Sequence, residues 1–193
     1  MPTKIIGGEF KGLKLKTPPG KQTRPTASLV REALFNILGQ SVQGRLALDL
    51  FAGSGAMGLE ALSRGASSVL FCDCSPIALE VIERNLNKLP KEAKNRAKVR
   101  RLIFPAKFRL LSPEGPFDLF LLCPPYKRQD IAQEFLRFTI LSNLAAPKSL
   151  VVWEMDVVDL SLLSDKQHLG PYSIKHSRCW GRRAALILEI DES

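Results

Sequence analysis

Residues 46–58 read Leu46-Ala47-Leu48-Asp49-Leu50-Phe51-Ala52-Gly53-Ser54-Gly55-Ala56-Met57-Gly58, and the rest of the chain is organised around them. The apolar run at the start is long enough for one buried strand. It ends in a glycine-rich turn, and helix-favouring residues without proline follow that turn. This order of strand, glycine-rich turn and helix is typical of a cofactor-binding loop.

The glycines of this loop have a physical purpose. Gly53 and Gly55 are predicted to adopt positive φ and to let the backbone approach a ligand, while the following helix presents NH groups at its start. With Gly58 they match the dinucleotide-binding spacing, which is weak evidence alone because two different cofactors use such loops. Residues 69–72 form the next apolar strand, and Asp73 at its end is placed to hold ribose hydroxyls. The alternative is a purely structural glycine turn.

Length and composition indicate one ordinary globular domain. The chain has 193 residues, of which 45% are hydrophobic and 24% charged, enough to bury one good core. It contains neither an apolar run of roughly 18 residues nor an early apolar segment behind basic residues, so we expect a cytoplasmic protein. The cysteines lack zinc-site spacing, which predicts reduced thiols and no metal site at Cys72, Cys74, Cys123 and Cys179.

Positive charge is concentrated in three segments of a chain whose formal net charge is +9. Residues 1–45 hold eight Lys or Arg against two Glu, residues 88–109 hold nine against one Glu, and residues 175–183 hold four. This distribution indicates a polyphosphate partner, most simply nucleic acid. The alternative is a basic surface that is merely solvated.

The first 38 residues predict a basic extension followed by a helix. Residues 5–15 interleave apolar and lysine side chains, which predicts a β-hairpin with one basic face. Residues 17–26 contain three prolines and therefore form a loop, which carries two cations. Residues 28–38 repeat apolar residues at helical spacing, and Gly39 follows as a helix stop. Arg31 lies off the apolar stripe, where it either reaches a phosphate or is solvated.

Strand and helix patterns then alternate along the chain. They predict strands at 46–50, 69–73, 99–104, 117–122 and 150–153, with helices at 59–64, 76–89 and 131–143. Residues 172–179 and 184–190 predict an antiparallel hairpin. This order predicts an α/β fold with an open, mostly parallel, Rossmann-like sheet, in which ligands bind at the carboxyl ends of the strands.

Several motifs resemble those of the RsmD-type methyltransferases, which use S-adenosylmethionine to methylate N2 of a guanine in small-subunit ribosomal RNA. The similarity spans essentially the whole chain, in Ile5-Ile6-x-Gly8, Gly12, Leu15, Arg24-Pro25-Thr26, residues 30–36, 49–56 and 58–66, and Pro124-Pro125-Tyr126. The resemblance implies a class I methyltransferase domain over residues 1–193, with residues 1–27 as the RNA-binding extension. It further implies guanine 966 of 16S rRNA as target, on an assembled or assembling small ribosomal subunit. We expect a monomer.

The resemblance also implies three groups of functional residues. The catalytic turn comprises Cys123, Pro124, Pro125 and Tyr126, in which the Pro124 carbonyl accepts an amino hydrogen and Tyr126 stacks on an extruded base. Cofactor contacts are implied for Asp49, Phe51, Ala52, Gly53, Ser54, Gly55, Asp73, Cys74 and Ala106. RNA contacts, mainly to phosphate, are implied for Lys11, Lys14, Lys16, Lys21, Arg24 and Arg31. For Asp49, the roles are orienting the loop, binding the methionine amino group of the cofactor, or capping a local turn.

Two positions depart from the family pattern. Cys123 stands where related enzymes carry Asp or Asn, and sulfur is a weak hydrogen-bond acceptor. Pro105 stands near Ala106 where they usually carry a polar residue that holds the adenine amino group. These departures motivate an alternative, a non-catalytic RNA-binding or ribosome-assembly protein on the same fold. A nicotinamide-dependent oxidoreductase also fits the glycine spacing but leaves residues 1–45 and the Pro-Pro-Tyr turn unexplained.

Overall fold

The computed structural model describes residues 3–19, 25–103, 108–125, 128–164 and 171–190. The chain divides into two compact units, Met1–Leu102 and Ile103–Ser193. Within the described residues, no helix is both long enough and apolar enough to cross a membrane.

The N-terminal unit is built on three parallel strands, β1 (Leu46–Asp49), β2 (Ser68–Asp73) and β3 (Ala97–Arg101). β2 is central and pairs with β1 on one side and with β3 on the other. The unit begins with α1 (Pro25–Leu38) and a 3-10 helix (Gly39–Val42). The strands are connected by α2 (Ala56–Ser63), α3 (Pro76–Leu86) and the short α4 (Lys91–Lys94).

Local sequence explains where β2 ends and α3 begins. Residues 69–72 of β2 are buried and apolar, as expected for a strand in a parallel sheet. Asp73 is the first polar residue after this run and is half-buried. Ser75 then caps α3 by accepting from the Ala78 amide, and Pro76 starts the helix at a position that needs no amide donor. An acid is thereby held at the carboxyl end of β2.

The C-terminal unit contains four strands in the order β4, β5, β7, β6. β4 (Phe117–Leu122) and β5 (Ala145–Asp156) are parallel, and α5 (Gln129–Leu141) connects them. After α6 (Val157–Ser164), β6 (Tyr172–Trp180) and β7 (Arg183–Ile190) form an antiparallel hairpin that pairs with β5 through β7. Aromatic rings pack in the core of the C-terminal unit. The Phe135 ring centroid lies 5.1 Å from that of Phe108 and 5.9 Å from that of Phe120.

The predicted α/β class, with mostly parallel strands and a C-terminal antiparallel hairpin, is confirmed. The predicted N-terminal β-hairpin is present as a short antiparallel pairing of residues 3–5 with 12–15. The Leu15 amide donates to the Thr3 carbonyl at 2.8 Å and the Ile5 amide to the Leu13 carbonyl at 3.0 Å, with the bridge Lys4↔Lys14 between them, although neither arm is long enough to count as a strand. Side chains of α2 and α3 also bind the backbone of this segment. The third strand ends at Arg101 rather than at residue 104. Sequence does not predict α4, α6 or the two 3-10 helices, Gly39–Val42 and Phe108–Glu114, because short elements carry too few repeats of a period.

Candidate cofactor site

The loop that joins β1 to α2 has the left-handed backbone that its glycines predict. φ is +57° at Gly53 and +76° at Gly55, a region that residues with a Cβ rarely adopt. Gly55 forms the N-cap of α2. The Ala52 amide donates to the Cys72 carbonyl at 3.0 Å and ties the loop to β2. The prediction of positive φ is therefore confirmed at both glycines.

Gly58 meets a different requirement, which is close packing of α2 on β2. A Cβ at this position would lie 2.3 Å from Phe71 Cε1 and 2.9 Å from Val69 Cγ1. Phe71 is fully buried, and a close-packed interior gives its ring little room to move. The third glycine thus brings the helix against the strand, as is typical of dinucleotide-binding loops.

The Asp73 carboxylate joins the end of β2 to the glycine loop. Its Oδ2 accepts from the Gly53 amide at 2.8 Å, and its Oδ1 accepts from the Ser75 amide at 2.9 Å. A carboxylate has about four lone-pair sites, so each oxygen can accept a second donor. Because the acid is held in place and is only half-buried, it fits the ribose hydroxyls of a nucleoside cofactor.

Asp49 lies at the end of β1 and is 1% exposed. Its Oδ2 accepts from the Gly58 amide of α2 at 2.9 Å. Burial raises the pKa of its carboxyl from 3.8 to about 7; the Gly58 hydrogen bond opposes this shift, and the charge of Asp73 adds to it. Of the predicted roles, this contact favours the one in which Asp49 orients the loop and α2.

Replacing Asp49 with Asn should reduce the dependence of stability on pH. The folded-state pKa of about 7 exceeds the ordinary 3.8. The stability that the protonated Asp49 carboxyl contributes to the fold is therefore fully present below about pH 4 and is lost as the pH rises through 7. At each pH, the gain is the free energy of unfolding of D49N minus that of the unchanged chain. This gain should be larger at pH 8 than at pH 5 by about 2–3 kcal/mol. Urea unfolding at both pH values measures this gain, and an equal gain at both would contradict the shift.

The other described members of the predicted cofactor set lie around the same loop. Phe51 is half-buried, Ala52 is buried, and Cys74 is exposed just after β2. The Ser54 carbonyl accepts a hydrogen bond from Asn85 at 3.0 Å. The structure thus brings these residues together at the carboxyl ends of β1 and β2. The predicted site residues that lie outside the described residues are Lys21, Arg24, Ala106 and Tyr126, together with the divergent Pro105.

The N-terminal segment, residues 3–19, is anchored to α2. Both carboxylate oxygens of Glu60 take part, because Oε2 accepts from the Ile6 amide and Oε1 from the Gly7 amide, each at 2.8 Å. The Phe10 amide donates to Ser63 Oγ at 2.9 Å. With its backbone bound in this way, the segment exposes three of the predicted RNA contacts, Lys11, Lys14 and Lys16.

Glu60 is wholly buried and faces two arginines. Arg64 Nε lies 2.9 Å from Oε1, and Arg31 Nε lies 3.7 Å from Oε2. Arg31 is only 5% exposed, and its Nη2 donates to the Lys4 carbonyl at 2.7 Å. The prediction that Arg31 contacts RNA is therefore corrected, because its buried side chain binds the Lys4 carbonyl and faces Glu60, which anchors the N-terminal segment to the protein.

Asn85 connects the N-terminal segment to the glycine loop and is missed by sequence reasoning. Its Oδ1 accepts from the Lys16 amide at 2.7 Å, and its Nδ2 donates to the Lys16 carbonyl at 2.9 Å and to the Ser54 carbonyl at 3.0 Å. The side chain is wholly buried. One signal was available, because Asn85 is a polar residue in the apolar stripe of α3, which comprises Ala78, Val81, Ile82 and Leu86.

The predicted catalytic turn follows β4 in the C-terminal unit. Cys123 is half-buried, Pro124 is buried and Pro125 is exposed. The Pro125 carbonyl accepts from the Arg128 amide at 2.8 Å, whereas the Pro124 carbonyl accepts no hydrogen bond from any described residue. Gln129 Oε1, at the start of α5, accepts from the Trp153 indole at 2.8 Å.

Comparison with known proteins agrees with this geometry. A family model described as conserved hypothetical protein 95 matches residues 3–175. The Escherichia coli ribosomal RNA small subunit methyltransferase D is 32% identical over 155 residues, which cover 80% of this chain and 75% of that protein. The solved structure of the Escherichia coli protein yhhF matches the full length of both chains with a TM-score of 0.83 at 26% identity. SMU.776, solved in complex with SAH, shares the fold over 87% of this chain and 50% of its own, with a TM-score of 0.69 at 13% identity. The chain therefore belongs to the RsmD family of methyltransferases.

Proposed function

We propose that this protein is a ribosomal RNA methyltransferase that methylates N2 of a guanine in small-subunit rRNA, with guanine 966 of 16S rRNA as the target. The observation that carries the proposal is the Asp73 carboxylate bonded to the Gly53 amide, in a chain whose Escherichia coli relative is named a small-subunit rRNA methyltransferase. Three exposed lysines of the N-terminal segment supply contacts to RNA phosphates, Lys11, Lys14 and Lys16.

The organisation of the active protein is part of the proposal. Residues 1–193 act as one methyltransferase domain, which is supported by a family model that spans most of both compact units. We expect the protein to act as a monomer in the cytoplasm, on an assembled or assembling small ribosomal subunit.

The glycine loop and two acids would hold the cofactor. When bound, S-adenosylmethionine supplies an electrophilic methyl group on a positively charged sulfur. Asp73 accepts hydrogen bonds from the ribose hydroxyls while the Gly53 and Ser75 amides keep its carboxylate in place. Asp49 keeps α2 in register with the loop through the Gly58 amide. Because backbone amides hold both acids before any ligand arrives, binding requires little reorganisation of the site.

The turn after β4 acts on the target base. The exocyclic nitrogen of guanine is a weak nucleophile because its lone pair is delocalised into the ring. The Pro124 carbonyl accepts an amino hydrogen, which orients the nitrogen for attack. Tyr126 stacks on the extruded base, and this stacking supplies the base recognition that phosphate contacts cannot provide.

Replacing Cys123 with Asp should raise the rate of methyl transfer about tenfold to a hundredfold. A carboxylate is a strong acceptor for the amino hydrogens, and a hydrogen bond to a charged group contributes roughly 1.5–3 kcal/mol. The rate is measured as kcat at saturating cofactor and RNA. Cys123→Ser, which adds an uncharged acceptor, should fall between the two. An unchanged rate in C123D would mean that another group already accepts these hydrogens.

Cys123 also favours a second candidate function, non-catalytic RNA binding or ribosome assembly, because a thiol is a weak acceptor at this position. The two functions differ in whether a methyl group moves.

Labelled S-adenosylmethionine is incubated with small ribosomal subunits that lack the modification, and the labelled nucleotide is mapped. Label on one guanine N2 supports the enzyme. No label, together with no cofactor binding by calorimetry, would favour the non-catalytic protein.

A further inference from the structure

We infer that two basic segments, far apart in the sequence, form one phosphate-binding surface for the RNA backbone. The lysine surface, as we call it, consists of five exposed residues, Lys14, Lys16, Lys88, Lys91 and Lys94. The inference rests on the proposed function, because it identifies the part of the protein that holds the rRNA. The lysine surface joins the lysines of the N-terminal segment to Lys88, just beyond the end of α3, and to the two lysines of α4.

Hydrogen bonds along α3 bring the two segments together. Lys88 Nζ, just beyond the end of α3, donates to the Lys14 carbonyl at 2.7 Å. One turn earlier, Asn85 bonds both the amide and the carbonyl of Lys16. Because Asn85 is wholly buried, the backbone of Lys16 has a defined place beside the end of α3. The ammonium of Lys88 therefore belongs to the same surface as the lysines of the N-terminal segment.

α4 continues this surface. Lys94 Nζ donates to Asn87 Oδ1 at 2.5 Å, which places the last residue of α4 beside the residue that precedes Lys88. Lys91 is the first residue of α4 and is exposed. Glu92 is the one acidic residue between Lys88 and Arg101 in the sequence. The local charge is consequently strongly positive.

Within the described part of the chain, the lysines of this surface have no acidic partner, whereas several arginines do. Exposed or half-buried arginines pair with acids elsewhere, as in Arg84–Glu80 at 2.5 Å and Arg183–Glu154 at 2.9 Å. Among the residues that the structure describes, none of the five lysines makes an ion pair. Like charges that are held close together without counter-charges repel, and a polyanion that binds them relieves this repulsion.

An RNA backbone is the ligand that this chemistry fits. The lysine ammonium is a compact point charge that binds phosphate without reading the base. Five ammonium groups spread over two segments exceed what one small anion can neutralise, whereas a nucleic acid presents a phosphate at every nucleotide. The lysine surface would therefore set affinity and orientation, and the target base would be selected elsewhere.

The test compares salt dependence of binding in two double variants. In Lys88→Gln/Lys91→Gln, glutamine at 88 can still donate to the Lys14 carbonyl, so charge is removed with little change in contacts. The slope of log affinity against log salt concentration, for protein-free small-subunit rRNA, should fall by about 1.4, roughly 0.7 for each lost phosphate contact. Binding at 0.1 M salt should weaken about tenfold or more. The matched control, Arg137→Gln/Lys148→Gln, removes the same charge from exposed positions in the C-terminal unit and should keep the slope.

The outcomes separate this inference from the proposed function. An unchanged slope in K88Q/K91Q, or an equal loss in the control, would overturn the lysine surface even if the unchanged chain methylates rRNA. A reduced slope confined to K88Q/K91Q would support the surface even if no methyl group is transferred. Urea unfolding of both double variants establishes that they fold as the unchanged chain does, because all four substitutions are at exposed side chains.

Discussion

Replacing Asp73 with Ala is expected to weaken the binding of S-adenosylmethionine about a thousandfold. The carboxylate is proposed to accept hydrogen bonds from the ribose hydroxyls, and each hydrogen bond to a charged group contributes roughly 1.5–3 kcal/mol. It also accepts from the Gly53 amide at 2.8 Å. Without that bond the glycine loop is less ordered, and ordering it on binding costs conformational entropy. Titration calorimetry measures the dissociation constant directly.

Two further variants show whether the carboxylate itself is responsible. Ser75→Ala perturbs the same turn by removing the cap of α3, which should cost about 1 kcal/mol of stability and leave cofactor affinity nearly unchanged. Asp73→Asn keeps one acceptor oxygen and should bind with intermediate affinity. Asp73 would be a turn residue without a role in ribose binding if D73A bound the cofactor normally, or if S75A lost as much affinity.

Replacing Glu60 with Ala should lower the free energy of unfolding by about 3–5 kcal/mol. The side chain is wholly buried, lies 2.9 Å from Arg64 Nε and accepts from two amides of the N-terminal segment. Its removal leaves Arg31 and Arg64 without their counter-charge and leaves two amides without an acceptor. Since domains are stable by only about 5–15 kcal/mol, this loss is a large fraction of the total. Urea unfolding followed by circular dichroism measures it.

The control for Glu60 lies on the neighbouring helix. Glu80→Ala removes the same side chain from an exposed pair with Arg84, four residues along α3, and such pairs contribute about 0.3–0.5 kcal/mol. Glu60→Gln keeps the shape and one acceptor, so it provides a folded variant if E60A does not fold. In that variant the Ile6 and Gly7 amides should exchange hydrogen faster than in the unchanged chain. Equal stability of E60A and E80A would show that Glu60 does not anchor the segment.

Features that depend on neighbouring residues in the chain could be predicted well. β4 begins and ends where expected, at Phe117 and Leu122, because a short apolar run with one interruption, Asp118, and prolines on both sides is characteristic of a buried strand. The positive φ at Gly53 and Gly55 could be predicted because it is a property of single residues in a tight turn. The acid at the end of β2 follows from the same strand pattern.

Elements with mixed local signals were harder to predict. β5 begins at Ala145, five residues before the predicted start at Leu150, although it contains Pro147 and a lysine with φ of +56°. Proline and left-handed backbone are normally signs of a turn, so the pattern indicates a loop there. α6 is equally difficult, because its eight residues show little amphipathic periodicity.

Sequence alone specified the fold class, the glycine loop and Asp73, whereas the partners of charged and polar side chains were decided only by tertiary structure. Arg31 contacts a carbonyl 27 residues away, and Glu60 and Lys88 contact backbone groups 53 and 74 residues away. A local pattern reports backbone preference and periodic exposure, but a long-range partner depends on which elements pack together. For this reason Arg31 looked like a surface cation and is a buried anchor, and two separate basic segments of the chain form one lysine surface.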